Sequence, residues 1–330
     1  MTSCNASLIE IEKEQLMGLD TGVECEKEIP IIDLTEFEQR RDEITEALWT
    51  AGVETGFFQL ENHGIPLAEI EEAFSLSERL FAMPELEKSR FPLENNAGWE
   101  SKAQIRPSTG QPDQKESYQI TRPVMAGKWP EETLLPGFQE QILRFEHNCW
   151  VVGMQILSCF ADRLGFPRSF FSQAHDPEQD TYQSTLRLLH YFPTDNIAPG
   201  WRAGPHTDFD CLTMIFQRTG EDGLQVCPGK NYTAREWIPV PAKHGRITYN
   251  IGDMLMRWSD DLLLSTFHRV IAREGAASPS RYSIGFFCQA NRDVMITSAS
   301  GKYEAITAGE YLAKRVQANF SERNLHEISA

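Results

Sequence analysis

The chain has 330 residues, 41% of them hydrophobic and 24% charged, proportions that support a sizeable folded core and exclude wholesale disorder. A formal net charge of −17 excludes nucleic acid as the main partner, because phosphate binding needs a basic surface, yet it leaves room for a local basic pocket. The seven cysteines form no C-x-x-C pair, the first residues carry neither a basic nor a long apolar stretch, and no run nears 18 apolar residues, so the expectation is a reduced, cytoplasmic setting without a membrane span.

In chain order, residues 1–28 are acid-rich and unpatterned, and read as a tail or an extra helix. Residues 29–34 read as a short buried strand. Ile44, Ala47, Leu48 and Ala51 have helical spacing over about 38–53. Residues 56–60 read as a strand, and 62–66 as a turn. A second helix is expected over 67–82, stopped by Met83-Pro84. Residues 92–137 read as irregular loops around a short strand near 115–120. A long helix should span 137–165, ended by Gly165 and Pro167.

From about 184 the pattern changes to short β-type runs: 185–192, 211–217, 223–227, 247–251, 254–258, 265–271 and 282–289. That many strands in so short a stretch predict a double-stranded β-helix, or jelly roll. A terminal helix is expected at 307–319. The fold class is therefore α+β with a mainly β core, a helical N-terminal portion and flanking helices. The expected organisation is a tail at 1–28, a helical and strand portion at 29–180, and the jelly-roll core with its last helix at 181–330, the latter two fused as one unit.

His206-Thr207-Asp208 is the only His-x-acid in the chain. With eight histidines and 48 acids, roughly one such pair is expected by chance, so the pair carries little alone. On an extended segment, however, positions i and i+2 point to one side. His268, in the β-branched stretch 265–270, can supply a third ligand from another strand. Two imidazoles and one carboxylate suit non-haem Fe(II) and leave positions open. Zinc accepts the same atoms. The other five histidines with loop, turn or helix contexts, and His190 in its strand, are left outside the site.

Arg281 and Ser283 are also i and i+2, at the head of a strand. An arginine fork binds a carboxylate bidentately, and the serine hydroxyl can add a bond. These two should face the barrel interior if their strand neighbours the one bearing His268. Strand parity puts Arg187, Leu189 and Tyr191 on one face of 186–192. If that face is inward, Tyr191 offers a phenol to a cosubstrate and Arg187 offers a cation.

Taken together, these residues resemble the isopenicillin N synthase-like family of Fe(II)/2-oxoglutarate dioxygenases. The resemblance runs through Ile31-Ile32-Asp33-Leu34, Gly56–Ile65, Asp113-Gln114-Lys115-Glu116, Leu186–Pro193, Pro205–Asp208, Asn250–Leu255, Ser265–Val270 and Arg281-Tyr282-Ser283. It implies iron ligands at His206, Asp208 and His268. It also implies that Arg281 and Ser283 bind the distal carboxylate of 2-oxoglutarate, with Tyr191 helping. The implied reaction uses Fe(II), 2-oxoglutarate and O₂, and releases succinate and CO₂. A ferryl species then abstracts hydrogen from a small substrate, giving hydroxylation or ring rearrangement and expansion. Two departures stand out: Ser259-Asp260-Asp261 replaces the usual Asn-containing turn, and the gap from His268 to Arg281 is longer than usual.

The chain is similar to fungal secondary-metabolite oxygenases acting on aromatic or polyketide compounds. Arg187 is the candidate anchor for an acidic or phenolic group. Phe287, Tyr118 and Trp201 are candidate walls, and Trp99 and residues 104–106 are candidate covers of the barrel mouth. An Fe(II) oxidase that does not use 2-oxoglutarate, a zinc hydrolase and a non-catalytic metal-binding β-barrel remain as alternatives.

Overall fold

A computed structural model describes residues 8–17, 22–110, 112–193, 201–229, 235–271 and 279–318. The amino-terminal part runs through α1 (Ile9–Met17), β1 (Val23–Glu24), β2 (Ile31–Asp33), α2 (Arg41–Glu54), β3 (Phe57–Glu61), α3 (Leu67–Phe81), α4 (Glu85–Lys88), β4 (Gly98–Ser101) and β5 (Lys115–Ile120). Two more helices follow, α5 (Phe138–Leu164) and α6 (Phe170–Ala174). The β-rich part contains β6 (Thr185–Tyr191), β7 (Trp201–His206), β8 (Leu212–Phe216), β9 (Leu224–Cys227), β10 (Glu236–Pro239) and β11 (Ile247–Ile251). It closes with α7 (Asp253–Trp258), β12 (Phe267–Ile271), β13 (Arg281–Cys288), β14 (Met295–Ile296), β15 (Ile306–Thr307) and α8 (Ala308–Ala318).

Two sheets carry the architecture. One has eight strands in the order β2-β3-β11-β8-β13-β6-β5-β4, and the other has five in the order β1-β10-β9-β12-β7. Pairing is antiparallel except for β2 with β3 and β1 with β10. The sheets share an apolar layer built from both, including Phe57, Leu189, Leu224, Val226 and Val270. This is the expected jelly roll, with helices packed on the outside of the larger sheet.

The long helix α5 shows why the helical portion and the barrel are inseparable in packing. Its apolar residues recur every three or four positions, and Ile142, Phe145, Cys149, Ile156, Leu157 and Phe160 are buried. Phe145 meets Phe216 of β8 at a ring separation of 5.1 Å. Gly153 lets the helix come close: a Cβ there would lie 2.7 Å from Met214 Cε and 2.8 Å from Cys288 Sγ. Any larger residue at 153 would force Met214 and Cys288 to shift.

Two expectations are corrected. Residues 254–258 read as a strand but lie in α7, whose six residues are all buried. A short apolar run that is buried all round loses the periodicity that separates helix from strand. The strand bearing Arg281 does not neighbour the strand bearing His268. β13 lies in the eight-stranded sheet and β12 in the five-stranded one, so these side chains meet across the barrel. The amino-terminal stretch contributes α1, with Glu10 and Glu14 buried. Among the described residues no helix is long and apolar enough to cross a membrane.

Candidate active site

His206 ends β7, and β12 pairs it directly with His268. Asp208 follows two residues later, in the turn toward β8. The three side chains are buried, and each offers a ligand atom within 4.8 Å of the others. His206 Nε2 lies 3.9 Å from Asp208 Oδ1, and His268 Nε2 lies 3.7 Å from Asp208 Oδ2. Each ring turns its other nitrogen to a backbone carbonyl: His206 Nδ1 to Gly204 O at 2.7 Å, and His268 Nδ1 to Thr266 O at 3.3 Å. With Nδ1–H donated, both Nε2 lone pairs face the centre of the cluster, the arrangement that outer hydrogen bonds impose on metal-binding histidines.

Burial pushes the His206 imidazole well below its usual pKa, and Arg106 and His268 push it further. Burial also lowers His268, against the opposing pull of Asp208. Both rings are therefore neutral, the form that ligates a metal. Asp208 Oδ2 accepts hydrogen bonds from Thr213 Oγ1 at 2.6 Å and Asn250 Nδ2 at 2.8 Å. The donor set is two imidazole nitrogens and one braced carboxylate, which fits Fe(II) with positions left open.

The facing wall belongs to β13, β6 and β5. Arg281, Ser283, Gly285 and Phe287 alternate along β13 and all line the cavity that holds the cluster. On β6, Tyr191 lies opposite Arg281, Leu189 opposite Ser283, and Arg187 opposite Gly285. Arg281 donates from Nε to Glu221 O at 2.7 Å, and its guanidinium sits 4.7 Å over the Tyr191 ring. Its Nη1 is buried with no hydrogen-bond partner among the described residues. Arg187 lies 5.1 Å over the Phe287 ring, and its Nε likewise has no partner there. Burial lowers the Arg187 pKa, with Glu100 pulling the other way. Gly285, having no side chain, admits the Phe287 ring: a Cβ there would lie 3.1 Å from Phe287 Cε2.

Arg106 and Lys115 add positive charge to the same cavity. Both pair with Asp113, at 3.0 and 2.9 Å, and Lys115 also donates to Gln104. Burial pushes Asp113 up, but Arg106 and Lys115 outweigh it and hold the carboxyl below the usual range. Asp113 Oδ1 accepts from Gly204 N, and Ser108 donates to Pro205 O. The segment around 104–114 is thereby docked on the strand that delivers His206. Sequence reasoning missed Thr213 and Gln119; Arg106, expected only within the cover at 104–106, lines the cavity itself. Asn250 and Lys115 lie within the family-like stretches, which was the available signal.

Two expected substrate contacts are corrected. Tyr118 lies on the far face of β5, fully buried against Phe138, with its hydroxyl donating to Lys128 O. Lys115 and Gln119, not Tyr118, face the cavity from that strand. Trp99 is in strand β4, opposite Tyr118, and donates from its indole to Glu116 at 2.7 Å. It does not line the cluster's cavity, but lines an adjoining groove that shares Leu93, Asn96, Leu312 and Val316 with it. The side chain of Trp201 and the longer loop at 272–278 lie outside the described residues. His190 is a satisfied polar residue, contacting Glu116 at 2.8 Å and Ser280 at 2.6 Å.

A jelly roll whose interior presents two histidines and a carboxylate opposite a buried arginine defines the class of non-haem iron oxygenases that use a 2-oxo acid. The comparisons agree. Residues 29–135 match the family described as non-haem dioxygenase in morphine synthesis N-terminal, and residues 182–290 match the 2OG-Fe(II) oxygenase superfamily. The UPF0676 protein C1494.01 of Schizosaccharomyces pombe is 31% identical over 89% of this chain and 93% of its own length. The 2-oxoglutarate-dependent dioxygenase tropC of Talaromyces stipitatus is 28% identical over 87% of this chain and 94% of its own. A full-length Neurospora crassa protein crystallised with alpha-KG superposes with a TM-score of 0.77 at 29% identity, covering 91% of this chain and 100% of that one.

The chain belongs to the 2OG-Fe(II) oxygenase superfamily. It is an oxidoreductase that uses Fe(II), 2-oxoglutarate and O₂. That membership favours the dioxygenase reading over an iron oxidase that does not use 2-oxoglutarate and over a non-catalytic metal-binding barrel.

Proposed function

We propose that His206, Asp208 and His268 hold the iron, that Arg281 and Ser283 hold the distal carboxylate of 2-oxoglutarate beside Tyr191, and that Arg187 over Phe287 receives a small, planar, acidic organic substrate. One observation carries this reading. Two buried guanidiniums, Arg281 and Arg187, sit on the inward faces of adjacent strands opposite the His-Asp-His cluster, each with a nitrogen that has no hydrogen-bond partner among the described residues. A buried guanidinium N–H left unsatisfied is costly, and a bound anion removes the cost.

Iron bound there supplies the oxidation of a substrate C–H bond, coupled to loss of 2-oxoglutarate as succinate and CO₂. The chain's own residues do the positioning. Thr213 and Asn250 fix the Asp208 carboxylate, and the two backbone carbonyls fix the imidazole tautomers. Arg281 orients the cosubstrate from the opposite sheet. Arg187 and the Phe287 ring orient a flat substrate between them, and Leu312 and Val316 of α8 help exclude water from the cavity.

Supporting a planar substrate, the Neurospora crassa neighbour was also solved with alpha-KG and thymine. The relative traH of Penicillium crustosum is likewise described as a 2-oxoglutarate-dependent dioxygenase. Hydroxylation and ring rearrangement are both compatible outcomes. We infer further that residues 29–180 and 181–330 act as one fused unit, in keeping with the way α5 packs into the barrel sheet.

The experiment is a screen of succinate release with small aromatic acids, phenols and enolic polyketides, each paired with its neutral methyl ester or ether. Acidic compounds should stimulate release and their neutral partners should not. Equal stimulation by the neutral partners would remove Arg187 as an anion anchor.

A further inference from the structure

Behind the His-Thr-Asp turn lies a second ionic cluster that the catalytic assignment does not use. Two of the three acids of α1, Glu10 and Glu14, are four residues apart and so share a helix face. Both are buried. Glu10 pairs with Arg257 of α7 through two hydrogen bonds of 2.8 and 3.0 Å. Glu14 Oε2 lies 3.3 Å from Arg315 Nη2 on α8.

Arg315 is 1% exposed and reaches the proposed iron site from behind. Its Nη2 donates to Thr207 Oγ1 at 3.1 Å and lies 3.4 Å from Asp253 Oδ2. Thr207 stands between His206 and Asp208. The Arg315 guanidinium also sits 4.4 Å over the ring of Phe209, the residue after Asp208 and itself part of the cavity wall. Asp253 completes the grip. Its Oδ2 accepts from Thr207 and from Tyr311 of α8, and its backbone N–H donates to Asp208 O at 2.9 Å. One guanidinium thus contacts the Thr207 hydroxyl and Phe209 ring of the turn, and the Asp253 carboxylate that accepts from Thr207.

The helix that carries Arg315 also closes the cavity. Leu312 and Val316 face the cavity, while Tyr311 and Arg315 face the ionic cluster.

We propose that Arg315 is a positioning residue for the iron-ligand turn, and that Glu14 anchors it so that the two terminal helices jointly set the metal site and seal the cavity. The inference rests on the reading of His206, Asp208 and His268 as the iron ligands. It concerns neither the substrate nor the 2-oxoglutarate arginine.

The test is an anaerobic Fe(II) titration of the full chain in saturating 2-oxoglutarate, followed through the visible metal-to-ligand charge-transfer band at a temperature well below melting. Arg315→Gln should weaken Fe(II) binding by about 10–100-fold, the usual cost of removing a group that supports a metal ligand. Arg315→Lys, which keeps the charge without the fork, should recover part of that loss. Thr207→Val, which removes the hydroxyl at nearly constant shape, should weaken binding, and the double variant with Arg315→Gln should lose no more than the larger single effect. A merely stabilising role for Arg315 would lower the melting temperature and leave Fe(II) affinity of the folded protein unchanged; that result overturns the proposal, as does strict additivity in the double variant. If Arg315→Gln does not fold, Thr207→Val with unchanged affinity overturns it alone. His206→Ala separates the two readings. Wild-type affinity in that variant would refute the iron triad itself, whereas wild-type affinity confined to the Arg315 and Thr207 variants refutes only the clasp.

Discussion

The two walls of the cavity are finished differently. On the five-stranded side, the His206 and His268 rings each have a carbonyl behind them, and Asp208 has two side-chain donors. On the eight-stranded side, Arg281 and Arg187 each retain a buried nitrogen with no hydrogen-bond partner among the described residues. The first wall is preorganised: neutral imidazoles and a braced carboxylate hold their geometry before anything binds. The second wall is complete only when anions arrive, because an unpaired guanidinium away from water is unfavourable. The difference separates the group that should stay bound from those that should come and go.

Breaking the first wall should have the largest effect. Asp208→Ala is expected to lower substrate-stimulated succinate release by about a thousandfold or more, a loss of some 4 kcal/mol of transition-state stabilisation. The charge-transfer band should vanish with it; a variant that keeps the band removes Asp208 from the ligand set.

Breaking the cosubstrate end of the second wall should act on one parameter. Arg281→Ala should raise the KM for 2-oxoglutarate by about 100-fold, the scale of a charge-assisted hydrogen bond of up to ~3 kcal/mol. Fe(II) affinity should stay at the wild-type value, because the altered side chain sits on the opposite sheet. Steady-state kinetics at varied 2-oxoglutarate check this, and a KM left in place would move the clamp elsewhere.

Arg187→Met sharpens the comparison because two effects should have opposite signs. The KM for an acidic substrate should rise by about tenfold, or ~1.4 kcal/mol. The melting temperature of the substrate-free protein should also rise, since an unpaired buried cation gives way to an apolar side chain of similar length. A lower melting temperature with unchanged substrate KM would make Arg187 a structural residue.

The smallest expected effect is a pH dependence of stability at Glu14, behind the first wall. Burial pushes Glu14 up to about 7, against the pull of Arg315, from an ordinary value of 4.5. Between these values the folded protein holds a proton that the unfolded chain releases. Glu14 therefore contributes stability that is full below about 4.5 and is lost as the pH rises through about 7. Glu14→Gln, which still offers Arg315 an acceptor, should flatten that slope. Chemical denaturation at pH 5 and pH 8 compares the two proteins, and an unchanged slope in the variant assigns the dependence to another group.

Much of the site could be read from short-range pattern. The i, i+2 rule places Arg281 with Ser283, and Arg187 with Tyr191, and both pairs line the cavity. The long helix from 138 to 164 was legible because its outer face is polar, which preserves the 3.6-residue period. The rule fell silent where every residue is buried. All six residues of β5 are buried, so alternation does not tell which face meets the cavity, and Tyr118 falls on the other one. For the same reason the residues of α7 carry no helical period that separates them from a strand.

The linear chain already displays the chemical groups: two histidines and an acid in strand contexts, an arginine and a serine two apart, and alternating runs that require a β-core. Those features depend on residue type and on spacing along a few bonds. Which groups stand against each other is settled by folding alone. It put Arg281 on the sheet facing His268, and it brought Glu14 to Arg315 across 301 positions of sequence. Such pairings are chosen by how sheets close and helices pack over the whole core, and no local period records that choice.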